Sequence, residues 1–289
     1  MSISPVRVGL VGLVFLAACR NLPDPALTQL VEARKLAADL HVQFVKAADA
    51  SDRAVLADTD EASVAFAHEA DAAAQSVQSD LAELGTRLQG LHYDDETKLL
   101  DELGKRFADY RKVDRDILSL AVANTNLKAQ RLAFGPIRDA ADQLKATLGL
   151  AVGVAAAKDR ARAEAAVAEA VIAVREIEVL QAPHIAEADA TAMGHLEEEM
   201  SKREQAARTA LETLRPLLPR AKDQLAAATV SLDQFRKLSA DLVSLSRQNT
   251  NVRSLALSLR PKPALTAACD STIASLEEAL GKHGFTATR

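Results

Sequence analysis

Tyr110 to Ala133 reads YRKVDRDILSLAVANTNLKAQRLA, and Phe235 to Ser258 reads FRKLSADLVSLSRQNTNVRSLALS. The two align without a gap at an offset of 125 residues: Arg111, Lys112, Asp116, Ser119, Leu120, Asn124, Thr125, Asn126 and Leu132 recur as Arg236, Lys237, Asp241, Ser244, Leu245, Asn249, Thr250, Asn251 and Leu257. A repeat of that length marks a duplicated domain and not a solenoid unit. Steps of three and four from Tyr110 pick out Val113, Ile117, Leu120, Asn124 and Leu127; the second copy gives Phe235, Leu238, Leu242, Leu245, Asn249 and Val252. This is the spacing of a helical bundle seam, with an amide at equivalent inward-facing positions of both copies.

Two roles suit such an amide. It fixes register by bonding a neighbouring helix or a backbone carbonyl, and Leu at both positions would then keep or raise stability. Alternatively, Asn124, Thr125 and Asn126, with Asn249, Thr250 and Asn251, line a polar pocket that holds a small polar or carboxylate solute between helices. Burial separates the two: a solvent-open cavity beside Asn124 or Asn249 favours binding, whereas packed and satisfied amides favour structure.

The chain has 289 residues, enough for two domains of ordinary size. Apolar residues make up 48% and aromatics only 3% without Trp, and the abundance of Ala and Leu beside Glu, Lys, Arg and Gln predicts an all-α protein. Its net charge is -5, with basic and acidic residues intermixed at helical spacing, so no basic stripe is available for nucleic acid.

Residues 1–18 carry one basic residue, Arg7, then an apolar run from Val8 to Ala18 that is too short to span a bilayer and reads as a secretion signal. Its end, Leu16-Ala17-Ala18-Cys19, resembles the lipobox of bacterial lipoproteins. The resemblance implies that Cys19 is lipidated and becomes the first mature residue, tying the protein to the cell envelope with its body facing the periplasm. Residues 19–25 form a tether, residues 26–157 a first four-helix bundle, residues 158–284 a second, and 285–289 a tail. In the first copy Leu30, Ala33, Ala37, Leu40, Phe44 and Ala47 form the stripe of helix one, and Asp58 with Glu61 predicts a capping box for helix two. Gly135-Pro136 is expected to end helix three. From Ile137 no breaker intervenes before Pro183 except Gly149 and Gly153, which predicts one long helix shared by both bundles, roughly 70 Å at 1.5 Å per residue. That plan places the tether at the waist between the bundles.

With its signal and its repeated Asn-Thr-Asn helix, the chain resembles a tandem of the four-helix-bundle sensory domain of methyl-accepting chemotaxis proteins. The likeness covers most of residues 26–281 and implies an extracytoplasmic sensory module. Neither a second membrane span nor a cytoplasmic hairpin with methylation glutamates follows in this sequence, so only the sensory half has a counterpart.

Catalytic and metal signatures are sparse. Di-iron bundles need Glu-x-x-His, which none of the six histidines supplies. The reversed pairs His184 with Glu187 and His195 with Glu198 fall off the apolar stripe and read as a solvated face. No haem-attachment motif, phosphate loop or nucleophile elbow occurs, and no cofactor is expected. Cys269 reads as a small core residue. Lys128, Arg131 and Arg253 lie within two turns of the Asn-Thr-Asn, as carboxylate partners or as solvated charges. Lys112 with Asp116, and Lys237 with Asp241, read as surface pairs. The function expected is a non-catalytic, envelope-anchored module that binds a small solute, or else a structural lipoprotein that docks an envelope protein or a second copy of itself.

Overall fold

The computed structural model describes residues 25–286, and among these every regular element is helical. The helices are α1 (Pro25–Leu56), α2 (Asp60–Leu91), α3 (Asp94–Ala123), α4 (Thr125–Leu132), α5 (Arg138–Gly153), α6 (Arg160–Ala186), α7 (Ala190–Leu217), α8 (Lys222–Gln248), α9 (Thr250–Leu259) and α10 (Pro261–Thr286). A π-helical segment, Ala133–Ile137, joins α4 to α5. None of the described helices is long and apolar enough to cross a membrane.

The stripe predicted for α1 is buried throughout, from Leu30 through Ala33, Ala37, Leu40 and Phe44 to Ala47. Phe44 meets Tyr110 of α3 edge to face, with ring centroids 5.1 Å apart, an arrangement favoured by the ring quadrupoles. Thr59, and not Asp58, caps α2: its hydroxyl accepts from the Ala62 amide at 3.1 Å. Asp189 caps α7 by accepting from Thr191 and Ala192. At the far end of α2, left-handed His92 lets the Tyr93 amide donate back to the Leu88 carbonyl, which stops the helix.

Packing does not follow chain order. One core is built from α1, α2 and α3 together with Cys269, Ile273, Leu276 and Leu280 of α10. A second is built from α5 to α8 with Ala129 of α4. Each repeat thus sends its last helices into the other group: α9 and α10 pack on α3, and α4 and α5 pack on α8. Contacts along the antiparallel α3–α10 pair run from Glu96 with His283, through Arg106 with the Ala268 carbonyl, to Asp114 with Lys262. The sequence division at residue 157 follows the chain, whereas the crossing points that separate the cores lie at Asn124 and Asn249.

Three expectations change. The helix from Ile137 to Pro183 is two helices: α5 ends at Gly153, residues 154–159 turn, and α6 folds back so that Arg175 pairs with Asp142. A Cβ at Gly149 or Gly153 would meet nothing within 4 Å, so these glycines do not serve close packing. The organising helix ends at Asn124 instead of Gly135-Pro136. Pro136 is carried inside the π-helical segment, whose wider turn relieves the clash a proline makes with the preceding turn of an α-helix. Lastly, the start of α1 lies away from the crossing. Arg34 donates to the Leu280 and Gly281 carbonyls near the end of α10, while Ala48 and Asp52 meet Lys262 and Ala54 meets Ser63 near the crossing. The chain therefore enters the fold at the end remote from the crossing and not at the waist; residues 1–24, with Cys19 and all of the tether but Pro25, which opens α1, lie outside the described residues.

The exchange is open to a direct check. Arg34→Cys with Gly281→Cys should be joined within one chain by a short thiol cross-linker, seen as a monomer band of altered mobility. A pair that stays unlinked while each single variant is fully labelled contradicts the packing of α10 on α1.

Candidate functional site

Asn124 and Asn249 adopt left-handed backbone angles, with φ of 52° and 53°. Among residues other than Gly, Asn is one of the few that enters this region routinely, so both copies can stop one helix and start another with a single residue. The break leaves the first amides of α4 and α9 without intrahelical acceptors. Neither Asn caps its own helix; the caps come from the other copy. The Thr125 amide donates to Thr250 Oγ1 at 3.0 Å and the Thr250 amide donates to Thr125 Oγ1 at 3.3 Å. The Asn126 amide donates to Asn251 Oδ1, and the Asn251 amide to Asn126 Oδ1, both at 3.1 Å. The six predicted residues therefore meet in one place, related by an approximate twofold axis.

Their remaining polar atoms are engaged as well. Asn126 Nδ2 donates to Asn249 Oδ1 at 2.8 Å and to the Ile185 carbonyl at 2.6 Å. Asn251 Nδ2 donates to Asn124 Oδ1. Asn124 Nδ2 reaches Asp60 Oδ1, and Asn249 Nδ2 reaches the Glu187 carbonyl, each at 2.8 Å. Asn124 is 1% exposed and Asn249 6%. Inward placement of both amides is as the seam predicts, and every side-chain nitrogen and oxygen of the six residues already has a protein partner. The neighbouring charges are also committed: Lys128 donates to the Ala123 carbonyl, ending α3, and Arg131 pairs with Asp60 at 2.8 Å. Arg253, Lys112, Asp116, Lys237 and Asp241 are exposed.

Beside the crossing in the second group, His184 has no exposed surface. It does not pair with Glu187 on a solvated face as expected. The α6 stripe turns it inward, with Nε2 at 2.8 Å from Glu197 Oε1 and Nδ1 at 2.9 Å from Ser246 Oγ. Arg247 grips the same carboxylate with two nitrogens at 2.6 and 2.8 Å. Arg247, with help from His184, holds the Glu197 carboxyl below its ordinary range. Hydroxyl, imidazole and carboxylate stand in the order of a hydrolytic triad, but Ser246 is fully buried and its hydroxyl donates to the His184 carbonyl at 2.9 Å, so substrate has no path to it. His195 and Glu198 are the exposed pair expected, 3.8 Å apart.

The first group holds a cluster absent from the sequence reading. Asp114 is fully buried on α3, 3.3 Å from Tyr110 Oη and from Arg111 Nη1, with Lys262 Nζ at 4.0 Å. Lys262, only 3% exposed, also pairs with Asp52 at 2.6 Å and donates to the Ala48 carbonyl at 3.1 Å. Burial pushes the Asp114 carboxyl up despite the pull of Lys262 and Arg111, and pushes the Tyr110 phenol up too. The observed seam of α3, Phe107, Tyr110, Asp114, Ile117 and Ala121, would have exposed this acid had the count of threes and fours begun at Phe107. Cys269 is the small core residue expected, free and fully buried, its thiol pushed up to about 12 by burial. Among the described residues no group of three or more His, Cys, Asp or Glu side chains is placed to hold a metal ion. No protein-family model matches the chain, and no curated protein matches it.

Two measurements test these assignments. Leu at Asn124 should destabilise the protein, contrary to the register-only expectation, because a branched side chain at positive φ costs roughly 1–2 kcal/mol before any bond is lost. Asn124→Gly should cost less than Asn124→Leu, and Thr125→Val, which orphans the buried Thr250 amide, about 1–3 kcal/mol in denaturant unfolding. The second concerns acid. A lowered carboxyl stabilises the fold above its ordinary range and loses that contribution as pH falls, whereas a raised one contributes at low pH and loses it as pH rises. The stability deficit of Glu197→Gln should therefore shrink on acidification, and Asp114→Asn should gain on the parent as pH climbs above about 4.

Proposed function

We propose that this protein is a non-catalytic, envelope-anchored helical scaffold that works by presenting its faces to another envelope protein. The observation that supports this most is the closure of the Asn-Thr-Asn cluster. The amides and hydroxyls that would have welcomed a solute are engaged, most of them in bonds that hold the two repeats together and the others in bonds to Asp60 and the Glu187 carbonyl. A ligand there would have to displace several buried hydrogen bonds, each worth about 1 kcal/mol net and more when an orphan remains.

Anchoring enters the proposal from the sequence ending Leu16-Ala17-Ala18-Cys19. The likeness to chemoreceptor sensory bundles enters as a helical plan whose exposed faces a partner would engage. Because α1 starts at the end remote from the crossing, a short tether would hold that end at the membrane and turn the second group outward, which is the geometry of a reaching scaffold. Small-solute recognition is a second reading, and the feature that favours it lies outside the Asn-Thr-Asn cluster, in a groove beside the π-helical segment.

Fractionation of cells expressing the full chain tests the anchor. The parent should follow the membrane pellet and take up a labelled acyl chain, and Cys19→Ala should lose the label. A parent that carries no label, or a Cys19→Ala chain that keeps it, contradicts lipidation at Cys19.

A further inference from the structure

The two groups differ at one matched place. Pro136 and Pro261 are equivalent by the repeat, which sets Ile137 against Lys262; counting back seven residues from the N-caps Thr59 and Asp189 sets Asp52 of α1 against Ala182 of α6. In the first group Lys262 crosses the cleft between α10 and α1 and closes it, bonding Asp52 and the Ala48 carbonyl. In the second, Ile137 turns into the core and Ala182 offers nothing to bridge to. The cleft stays open as a groove of about 410 Å³ between the π-helical segment and α6. That is within the range of small-molecule sites.

Its lining is amphipathic. Phe134 and Val179 are 71% and 72% exposed at its edges, and Ala182 and Ile185 continue the apolar wall. Arg175 in this groove is already neutralised by Glu178 at 2.6 Å and by Asp142. Arg138, by contrast, makes no ion pair or hydrogen bond among the described residues. Gln181 is 1% exposed; its Nε2 donates to Ser239 Oγ at 3.1 Å, while its Oε1 is buried without a partner. A buried amide oxygen left unbonded is uncommon.

We infer that this groove is a binding site for an amphipathic organic anion, a free carboxylic acid with a medium-length apolar chain. The Arg138 guanidinium takes the carboxylate in a charge-assisted pair, and the chain lies between Phe134 and Val179. The site is separate from the Asn-Thr-Asn cluster, and it stands whether or not the protein also docks a partner.

Calorimetric titration of the full chain carrying Cys19→Ala, which keeps acyl groups out of the assay, tests it with sodium octanoate as the probe. Saturable binding is expected, weakened roughly tenfold or more by Arg138→Gln, the usual effect of losing a bond to a charged group. Octanol should bind correspondingly less well than octanoate. Ala182→Asp, which restores the acid of the closed cleft and sets it against the carboxylate, should remove binding. Arg138 and Ala182 are both exposed, so neither variant should move Tm. Absence of saturable octanoate binding overturns the assignment, as does equal affinity in Arg138→Gln, in Ala182→Asp or for octanol.

Discussion

The fold depends on helix starts that cannot satisfy themselves. Breaking a helix at a single left-handed Asn is economical in chain length, but it strands the first amides of the next helix in a buried place, where an unbonded amide costs about 1–3 kcal/mol. Here two such starts face each other, and each supplies the oxygens the other lacks. The arrangement works because the duplicated sequence brings the same three residues to both sides of one axis. Thr and Asn carry short side chains with an acceptor at the right reach, and Asn also tolerates the backbone turn. Neither half of the motif is complete alone.

From this constraint follows the exchange of helices. A chain that passes through the crossing without reversing must deliver α4 and α5 to α8, and α9 and α10 to α3. The two groups are then free to diverge on either side of the axis, and they have. The first keeps a buried acid, Asp114, balanced by Lys262 and Arg111. The second has Ser239 at the matched position and places its polar cluster, Glu197 with His184 and Arg247, nearer the crossing. A buried pair such as Asp114 with Arg111 costs desolvation and makes removal of a single partner expensive, which ties the first group to its own set of side chains.

Much of this was legible in the sequence, and the part that was not has a common cause. Periodicity carries the existence of the helices and the buried stripe of α1, and the repeat carries the inward placement of Asn124 and Asn249. Both are local properties. What a repeat cannot carry is which copy of a helix packs on which core, because equivalent helices present equivalent stripes and the choice is made by the direction of the chain at one residue. Asn124 taken as a seam position, and not as a left-handed break, therefore implies bundles in chain order. Counting along the sequence puts His184 at the surface for a related reason: its partner Glu197 lies on the next helix, beyond any count along α6. The turn at residues 154–159 has only Gly153 as a signal, and glycine alone does not distinguish a helix end from a helix contact.

The bond from Arg34 to the Leu280 carbonyl spans 246 residues of sequence. Such separation has a consequence for the order in which the molecule can assemble. Helices α1, α2 and α3 form a core with a missing wall, and that wall is α10, made much later in synthesis. The helices of the second group are by contrast all present once α8 has been made. The middle of the chain can therefore close while its beginning still waits, with the apolar stripe of α1 to α3 uncovered for the whole of that interval. A chain built this way folds from α4 to α8 outward in time, and the shared face of α1 to α3 is among the last surfaces to be buried.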